Sequence, residues 1–482
     1  MSISVFFARL SRIFSALANS LPLRGNSASF SASRLRLIRP RVWSSEAGTP
    51  LAVGEFTWTF PAVRAGVSLE HILPLSSPKS PMLNVATDGA VSASLTAFDH
   101  RPRTRLIFGP GCLAQLGVLA REMGGTRVLL VTDHGLVAAG HVDRARRFLA
   151  DVGLEVTVYA DVHENPTTED VARCLAVAQT TRTELFVGLG GGSSLDTAKG
   201  TNLLLSHGGA IRDFWGVGKA TKPMRPLLAI PTTAGTGSEC QSAALIADAT
   251  THQKMACLDS KITPCIALLD PELTLSLPLR VTAATGVDAL THALETAVTT
   301  KRTPISELYS REAFRLCLQA LPQVLAEPRN LTARGQLLLG AAYAGLAIEN
   351  SMLGAAHAAA NPLTATCNLV HGLAVGLMLP AVIRFNSADP GTRTRYAALA
   401  TATGIAGPHL PEKLAVSALV ERVVTVLNQA EIPRSLSAAG VPEGRTNELA
   451  CEAMKQWTAT FNPRPLTVGD FQALYREALT PR

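Results

Sequence analysis

Residues 184–200 read ELFVGLGGGSSLDTAKG, an apolar strand that passes into a helix through a cluster of glycines. Backbone without a Cβ can approach a pyrophosphate closely, and the free N–H groups at the start of the helix favour an anion. The GxGxxG dinucleotide fingerprint is only partly met, because the sixth position is serine. Two interpretations stay open: the turn binds a phosphate, or it only permits tight packing of strand on helix. The turn consists of Gly188, Gly190, Gly191, Gly192 and Ser193.

Strands and helices alternate on both sides of this turn. Apolar strands are predicted from Arg127 to Asp133, at LEVTVYADV and at PLLAIP, with helical or glycine-rich segments between them. This alternation predicts a parallel sheet covered by helices on both faces. After about residue 280, alanine and leucine at helical spacing replace the strand runs. We therefore predict an α/β plus all-α fold, with a sheet domain at 95–280 and a helical domain at 281–482.

The charge of the chain is concentrated at its beginning. The formal net charge is +7, from 44 basic and 37 acidic residues, but residues 1–45 alone contain seven arginines and no acid. Removing these seven from the 44 leaves 37 basic against 37 acidic residues, so the rest of the chain is neutral. A nucleic-acid-binding surface is therefore not expected. No run of 18 apolar residues is free of charges or Gly/Pro breaks, and no membrane span is expected either.

The arginine- and serine-rich head resembles a mitochondrial transit peptide, which would place the protein in the matrix. The alternative is a start codon placed too far upstream, so that part of this text is never translated. We treat residues 1–94 as an N-terminal extension with little order. The eight cysteines are scattered and form no CxxC pair, which is typical of reduced thiols in the cytoplasm and argues against a zinc–thiolate site.

Three polar features lie near the ends of the predicted strands. Asp133 can accept from ribose hydroxyls and would repel the extra phosphate of NADP, or it can simply cap a helix. Asp196 and Lys199 lie in the first turns of the helix after the glycines, where the simplest interpretation is dipole and surface charge. The loop TTAGTGSE, from Thr232 to Glu239, is a polar, glycine-rich connection of the kind that often contacts ligands.

The strongest chemical signal is one aspartate and three histidines in otherwise apolar, alanine-rich helical runs. Asp288 and His292 are four residues apart and share a helix face, and His357 and His371 follow. A buried, unpaired carboxylate costs several kcal/mol unless it ligates a metal or is paired. One carboxylate and three imidazoles fit Fe²⁺ or Zn²⁺ better than Ca²⁺ or Mg²⁺. The alternative is a set of hydrogen-bonded core histidines.

Taken together, nine ordered segments resemble the iron-containing (group III) alcohol dehydrogenase family from about Thr104 to Asn386. The segments are VTD, ENPT, GLGGGSSLDTAKG, IPTTAGTGSE, KMAC, LLDPELT, GVDALTHALE, GAAHAAANPL and VHGLAVGLMLP. The resemblance implies a dehydroquinate synthase-like architecture, an N-terminal dinucleotide-binding domain and a C-terminal helical metal-binding domain. It also implies hydride transfer between NAD(H) and an alcohol, aldehyde or ketone.

The resemblance carries functional residues over to this chain. It implies that the metal, Fe²⁺ or Zn²⁺, is bound by Asp288, His292, His357 and His371. It implies that NAD is contacted by Asp133, Asn165, Gly190, Gly191, Gly192, Ser193, Asp196, Thr232, Thr233 and Lys254. The family's preference for NAD over NADP is tied to the acid at the position of Asp133. Members are often dimers or larger, so a homo-oligomer is expected.

One position departs from the family pattern. Many members carry a second histidine four residues after the third ligand, near the nicotinamide, where this chain has Asn361. Asparagine can hold a hydroxyl or a water but cannot take its proton at neutral pH. With His357 and Asn361 as the predicted catalytic pair, the proton would leave through water, the ribose hydroxyls or a group such as His252.

Three other functions remain open at this point. A hydroxyacid–oxoacid transhydrogenase is related by the same resemblance and is mitochondrial, although no clear carboxylate-binding arginine supports it. A cyclase or lyase like dehydroquinate synthase shares the fold but needs several basic residues around a phosphate-bearing substrate. A non-catalytic remnant would explain the asparagine at position 361.

Overall fold

The computed structural model describes residues 97–251 and 253–481, together with the short segments Ser31–Ala32 and Pro61–Ala62. These two segments pair as antiparallel strands in a unit that spans residues 1–92. The rest of the predicted extension, and His252, lie outside the described residues. Residues 93–482 form a second compact unit.

Six strands of the second unit form one parallel sheet and three shorter ones form a small mixed sheet. The large sheet has the order β1-β9-β6-β4-β2-β3, and the small one has the order β5-β8-β7. The strands are β1 (Arg105–Phe108), β2 (Arg127–Val131), β3 (Glu155–Tyr159), β4 (Leu185–Gly190), β5 (Gly216–Val217), β6 (Leu227–Pro231), β7 (Ala243–Ala247), β8 (Lys254–Leu258) and β9 (Ile266–Leu269).

Five helices cover the two faces of the large sheet. They are α1 (Leu116–Glu122), α2 (His134–Ala138), α3 (His141–Ala150), α4 (Thr168–Thr180) and α5 (Gly192–His207). Successive side chains of a strand point to opposite faces. Val128 and Leu130 accordingly join one apolar cluster with α1 and α3, whereas Leu129 and Val131 join another with α4 and α5. This explains why the central strands are continuous apolar runs.

The second half of the unit consists of helices. They are α6 (Leu279–Thr296), α7 (Pro304–Ala326), α8 (Leu331–Glu349), α9 (Ala355–Cys367), α10 (His371–Asn386), α11 (Pro390–Ala402), α12 (Glu412–Gln429), α13 (Thr446–Met454) and α14 (Val468–Leu479). Helix α6 is almost wholly buried from Thr282 onward and packs against α7, α8 and α10. Burial on every side places α6 in the centre of the bundle, although it carries the buried polar side chains Asp288, His292 and Glu295.

The predicted fold class is confirmed, with two differences of detail. The strand from Arg127 ends at Val131, and Asp133 begins α2 instead. The small sheet was not predicted, because β7 is mostly alanine, which has a low strand propensity. Within the described ranges, no helix is both long enough and apolar enough to cross a bilayer.

Candidate active site

One large cavity, of about 1870 Å³, lies between the carboxyl ends of the large sheet and the helical half. In open parallel sheets ligands bind at this edge, because the strand-to-helix loops meet there. Among the predicted site residues, Gly190 does not line the cavity. Those that do are Asp133, Asn165, Gly191, Gly192, Ser193, Asp196, Thr232, Thr233, Lys254, Asp288, His292, His357, Asn361 and His371.

The glycine-rich turn is tightly packed and also borders the cavity, so phosphate binding by it stays a prediction. A Cβ at Gly190 would come within 2.3 Å of Ser194 Oγ, so this glycine permits close packing of strand on helix. A Cβ at Gly192 would lie 2.8 Å from Thr236 Cγ2, in space that borders the cavity. Helix α5 begins there without a side-chain cap, so its first N–H groups are available to an anion. The turn therefore fits a dinucleotide pyrophosphate.

Asp133 and Asn165 lie at the same end of the cavity. The Asp133 carboxylate accepts from the backbone N–H of Leu136 at 3.1 Å, so it caps α2 as one interpretation required. The residue still lines the cavity and keeps acceptor capacity for ribose hydroxyls. Asn165 has a left-handed backbone, with φ of 54°, and its N–H donates to Ser193 Oγ at 3.2 Å. This contact ties the loop after β3 to the glycine-rich turn.

Lys199 is completely buried, so its interpretation as a surface charge is wrong. Its ammonium donates to the carbonyls of Ser238, Gln241 and Ala243 and to Ser238 Oγ, at 2.7–3.0 Å. Asp196 lies beside it and accepts from Ser238 Oγ at 2.7 Å and from Leu245 N at 3.1 Å. Both side chains therefore fasten the TTAGTGSE loop to α5. Whether Asp196 also contacts a cofactor stays a prediction.

The aspartate and histidines converge on one point. The Nε2 atoms of His357, His292 and His371 lie 3.4, 3.5 and 3.8 Å from a single oxygen, Asp288 Oδ1. The ligand atoms of Asp288, His357 and His371 all lie within 4.8 Å of one another. His292 is outside that closest group, but its ring stacks on His357 with centroids 4.7 Å apart. Helices α6, α9 and α10 each contribute to this cluster.

The cluster fits a divalent cation. Asp288 Oδ1 and His357 Nε2 are buried, and neither has a hydrogen-bond partner among the described residues. Buried polar atoms left unpaired are costly, and two that face one another are expected where an ion completes the site. The donor set of one carboxylate and imidazoles suits Fe²⁺ or Zn²⁺. The ligand role of each side chain remains a prediction that follows from this geometry.

Two family models match the described unit. The model for iron-containing alcohol dehydrogenases matches residues 102–271, and the model for the C-terminal part of this family matches residues 282–479. Together they cover more than half of the chain. The chain belongs to the iron-containing alcohol dehydrogenase family.

Individual proteins similar to this alcohol dehydrogenase support the same family assignment. Alcohol dehydrogenase 4 of Schizosaccharomyces pombe is 34% identical over 77% of this chain and 87% of its own length. The NAD-dependent methanol dehydrogenase of Bacillus methanolicus is 32% identical over 77% of this chain and 97% of its own. The solved structure of an alcohol dehydrogenase from Oenococcus oeni superimposes with a TM-score of 0.77, at 30% identity, over 79% of this chain and 100% of that one.

The predicted family is therefore confirmed. The protein is a metal-dependent oxidoreductase that transfers hydride between NAD and the CH–OH group of an alcohol. NAD and a divalent metal ion, Fe²⁺ or Zn²⁺, are the cofactors of this alcohol dehydrogenase, and the candidate metal cluster and the glycine-rich turn border the same cavity.

Sequence reasoning missed Glu295. Its Oε2 lies 2.5 Å from His357 Nδ1, and its Oε1 accepts from the N–H of Ala356 at 2.6 Å. A carboxylate on the far nitrogen of a metal-binding histidine fixes the tautomer and turns Nε2 towards the ion. A sequence signal for Glu295 was present, because it is an acid three residues after His292 in the same helical run.

The surroundings of the cluster shift the pKa values of its four side chains in different directions, and only the pKa of His357 is raised. Burial raises the pKa of Asp288, but the three imidazoles outweigh it and hold the pKa well below its usual range. Burial lowers the pKa of His292 to about 4 and that of His371 to about 3, so both are neutral at pH 7. Burial also lowers the pKa of His357, but Glu295 and Asp288 outweigh it and raise the pKa to about 9.

Asn361 faces the cavity one turn after His357. Helix α9 continues through Pro362, so the proline does not turn the asparagine away from the site. Its Nδ2 donates to Gln456 Oε1 at 2.9 Å. Gln456 comes just before a 3-10 turn, Trp457–Phe461, that also borders the cavity. Gln456 was not predicted, because it lies 95 residues away in sequence.

Proposed function

We propose that Asp288, His292, His357 and His371 hold one Fe²⁺ or Zn²⁺ ion in this dehydrogenase. The observation that carries the proposal is the meeting of three imidazole Nε2 atoms at one unpaired carboxylate oxygen. When bound by these residues, such an ion would supply Lewis-acid chemistry at the substrate oxygen. The four side chains come from three helices, α6, α9 and α10, so the ligand set depends on the packing of the helical half.

NAD is proposed to lie along the glycine-rich turn, with its pyrophosphate at the start of α5 and its adenosine ribose near Asp133. The free N–H groups of the first turn of α5 support this placement, and so does the position of Gly191, Gly192 and Ser193 on the cavity wall. A carboxylate near the ribose favours NAD over NADP, because it would repel the additional phosphate.

Glu295 and Asn361 have different roles near the proposed metal site. Glu295 holds His357 in the orientation that points Nε2 into the cluster. Asn361 can orient a hydroxyl group but cannot accept its proton, because an amide does not titrate near neutral pH. We infer that the proton of the alcohol leaves through water or the ribose hydroxyls.

The substrate is proposed to be a small alcohol, or the corresponding aldehyde or ketone. The similarity to a methanol dehydrogenase and to alcohol dehydrogenases over most of their lengths supports this substrate class. The helical half, from residue 281, would supply the metal and most of the substrate pocket, and residues 95–280 would supply the cofactor site.

The cellular location is proposed from the cysteines and the arginine-rich head, and the assembly from the family resemblance. All eight cysteines lie within the described residues, and none of them forms a disulfide. Reduced thiols are typical of the cytoplasm, the location we propose, with the mitochondrial matrix as the alternative if the arginine-rich head is a transit peptide. We also propose a homo-oligomer, as the family resemblance implies.

The purified protein, loaded with Fe²⁺ or Zn²⁺, tests the proposal when NADH absorbance is followed with a panel of alcohols and aldehydes. At least one member should be turned over. His371→Ala should abolish metal retention, whereas His409→Ala, at an exposed position, should leave the metal content unchanged. Unchanged metal content in the first variant would remove His371 from the ligand set.

A further inference from the structure

The amide pair Asn361–Gln456 lines the cavity that also contains the metal cluster, together with the rings of Trp457 and Phe461. Both side chains are half-buried and line the cavity, and they are joined by the 2.9 Å hydrogen bond from Asn361 Nδ2 to Gln456 Oε1. The rings of Trp457 and Phe461 lie on the same segment, 5.7 Å apart in an edge-to-face arrangement. Aromatic rings beside a small number of polar groups are typical of a pocket that selects its ligand.

The direction of both amides is determined by a third contact. Gln456 Nε2 donates to the backbone carbonyl of Glu452 at 3.4 Å, so the oxygen of this amide must be the end that faces Asn361. Asn361 then has to present its nitrogen to Gln456, and its Oδ1 points elsewhere. No group in the described part of the chain donates to Asn361 Oδ1. The pair therefore offers one free acceptor and at least one further N–H donor.

The position of the pair relates it to the reacting carbon. Asn361 is four residues after His357 on a continuous helix, which corresponds to a rise of about 6 Å. A substrate whose oxygen approaches the metal cluster would extend its next one or two carbons towards this turn of α9. A polar group on those carbons is within reach of the amides.

We propose that Asn361 and Gln456 bind a second hydroxyl group of the substrate, so that the enzyme prefers a short diol, or its hydroxyaldehyde, over the plain alcohol of the same length. This inference rests on the proposed alcohol dehydrogenase activity and names its substrate class. Asn361 is then a specificity-determining residue, where a histidine would have carried a proton.

The chemistry of the pair selects a hydroxyl among the alternatives. A hydroxyl can donate to Asn361 Oδ1 and accept from an amide N–H at the same time. A carboxylate has no proton to donate, so its oxygens would meet Oδ1 acceptor to acceptor. A methyl group would cover both amides and leave them unpaired, which a partly buried site penalises.

One cationic side chain borders the same cavity as the two amides. Lys301 also lines the cavity, and its ammonium lies 4.7 Å above the ring of Phe461. If this charge dominated, the enzyme would prefer a hydroxy acid such as 3-hydroxypropanoate over a diol. That result would overturn the proposal.

The test compares kcat/KM for 1,2-propanediol and 1,3-propanediol with that for 1-propanol, using the full chain with Zn²⁺ and NAD. We expect at least one diol to be preferred in the natural protein. Asn361→Leu and Gln456→Leu should each lower the ratio of the preferred diol to 1-propanol by about tenfold, the value of one lost hydrogen bond. Gln179→Leu, the same change at an exposed position on α4, should leave the ratio unchanged.

Equilibrium binding supplies a readout that does not depend on turnover. Calorimetric titration of the preferred diol into the protein with Zn²⁺ and NADH should give a Kd about tenfold weaker in Asn361→Leu than in the natural protein. A Kd and a kcat/KM ratio that are unchanged in both leucine variants would overturn the inference and leave the dehydrogenase activity intact. Absence of turnover with every alcohol would instead count against the proposed function, and the titration would still decide whether the amides bind the diol.

Discussion

At the scale of single residues, Glu295 decides how well the cluster is prepared for its ion. Glu295→Gln keeps the size of the side chain and an acceptor for Ala356 N, but removes the charge beside His357 Nδ1. We expect metal affinity to fall by about 10- to 100-fold, as is typical when the carboxylate behind a metal-binding histidine is lost. Competition with a chelator of known affinity measures the effect.

Glu421→Gln is the matched control, because Glu421 is exposed on α12. Its metal affinity should equal that of the natural protein. If Glu295→Gln bound metal equally well, the orienting role of Glu295 would be wrong.

The pKa of His357, raised to about 9, predicts a pH dependence of metal binding. Below pH 9 the metal-free protein carries a proton on His357, and the ion must displace it in order to bind Nε2. Affinity should therefore rise with pH, by about tenfold per unit between pH 7 and 8.5, and one proton should be released per ion bound. The number of protons released, measured by calorimetry in two buffers, checks this, and affinity independent of pH would contradict it.

At the scale of elements, the glycine-rich loop is held from two sides. Lys199 of α5 binds the carbonyl of Ser238 in the loop and the carbonyls of Gln241 and Ala243 just after it. Glu349 of α8 accepts from both N and Oγ of Ser242, in the same following segment, at 2.8 Å. Gly237 has φ of 64°, and a Cβ there would come within 2.6 Å of Gly345 Cα. The loop and the segment after it are thus anchored to both halves, by the buried Lys199 of α5 and the half-buried Glu349 of α8.

Lys199→Met should expose how much this anchoring contributes. The change removes four hydrogen bonds and leaves Asp196 buried without its neighbouring cation, 3.8 Å away. Removing one partner of a buried pair costs about 3–5 kcal/mol. Denaturant unfolding should show a loss of that size, whereas Lys413→Met, at an exposed position of α12, should change the free energy of unfolding by less than about 0.5 kcal/mol. A loss below about 1 kcal/mol would show that the loop does not depend on Lys199.

At the scale of the whole molecule, the cavity joins the sheet and the helical half through residues of both. Ligands that bind only the folded chain stabilise it by mass action, by about 2.7 kcal/mol at 100 times Kd. Zn²⁺ and NADH should therefore each raise the Tm, and treatment with a chelator should lower it. A thermal melt of the metal-free, metal-loaded and doubly loaded protein tests this. An unchanged Tm after metal loading would argue against a resident ion.

Several features of the fold and the site could be predicted from the sequence because they are local. The central strands are apolar along their whole length, since both faces of a parallel sheet are covered, and β4 leads directly into the glycines that start α5. Asp288 and His292 share a face because they are four residues apart on one helix. The order of the motifs was sufficient to identify the family. The domain boundary near residue 280 stays a prediction, and the extension before residue 95 lies largely outside the described residues.

Only the tertiary structure decided which distant side chains meet. His357 and His371 reach Asp288 because α10 packs against both α6 and α9, and helix packing is not encoded in the spacing of residues along one helix. The burial of Lys199 follows from the path of a loop 39 to 44 residues away. The partner of Asn361 comes from 95 residues further along the chain. Local propensity and periodicity act over a few turns, whereas these contacts arise when separate elements share one core.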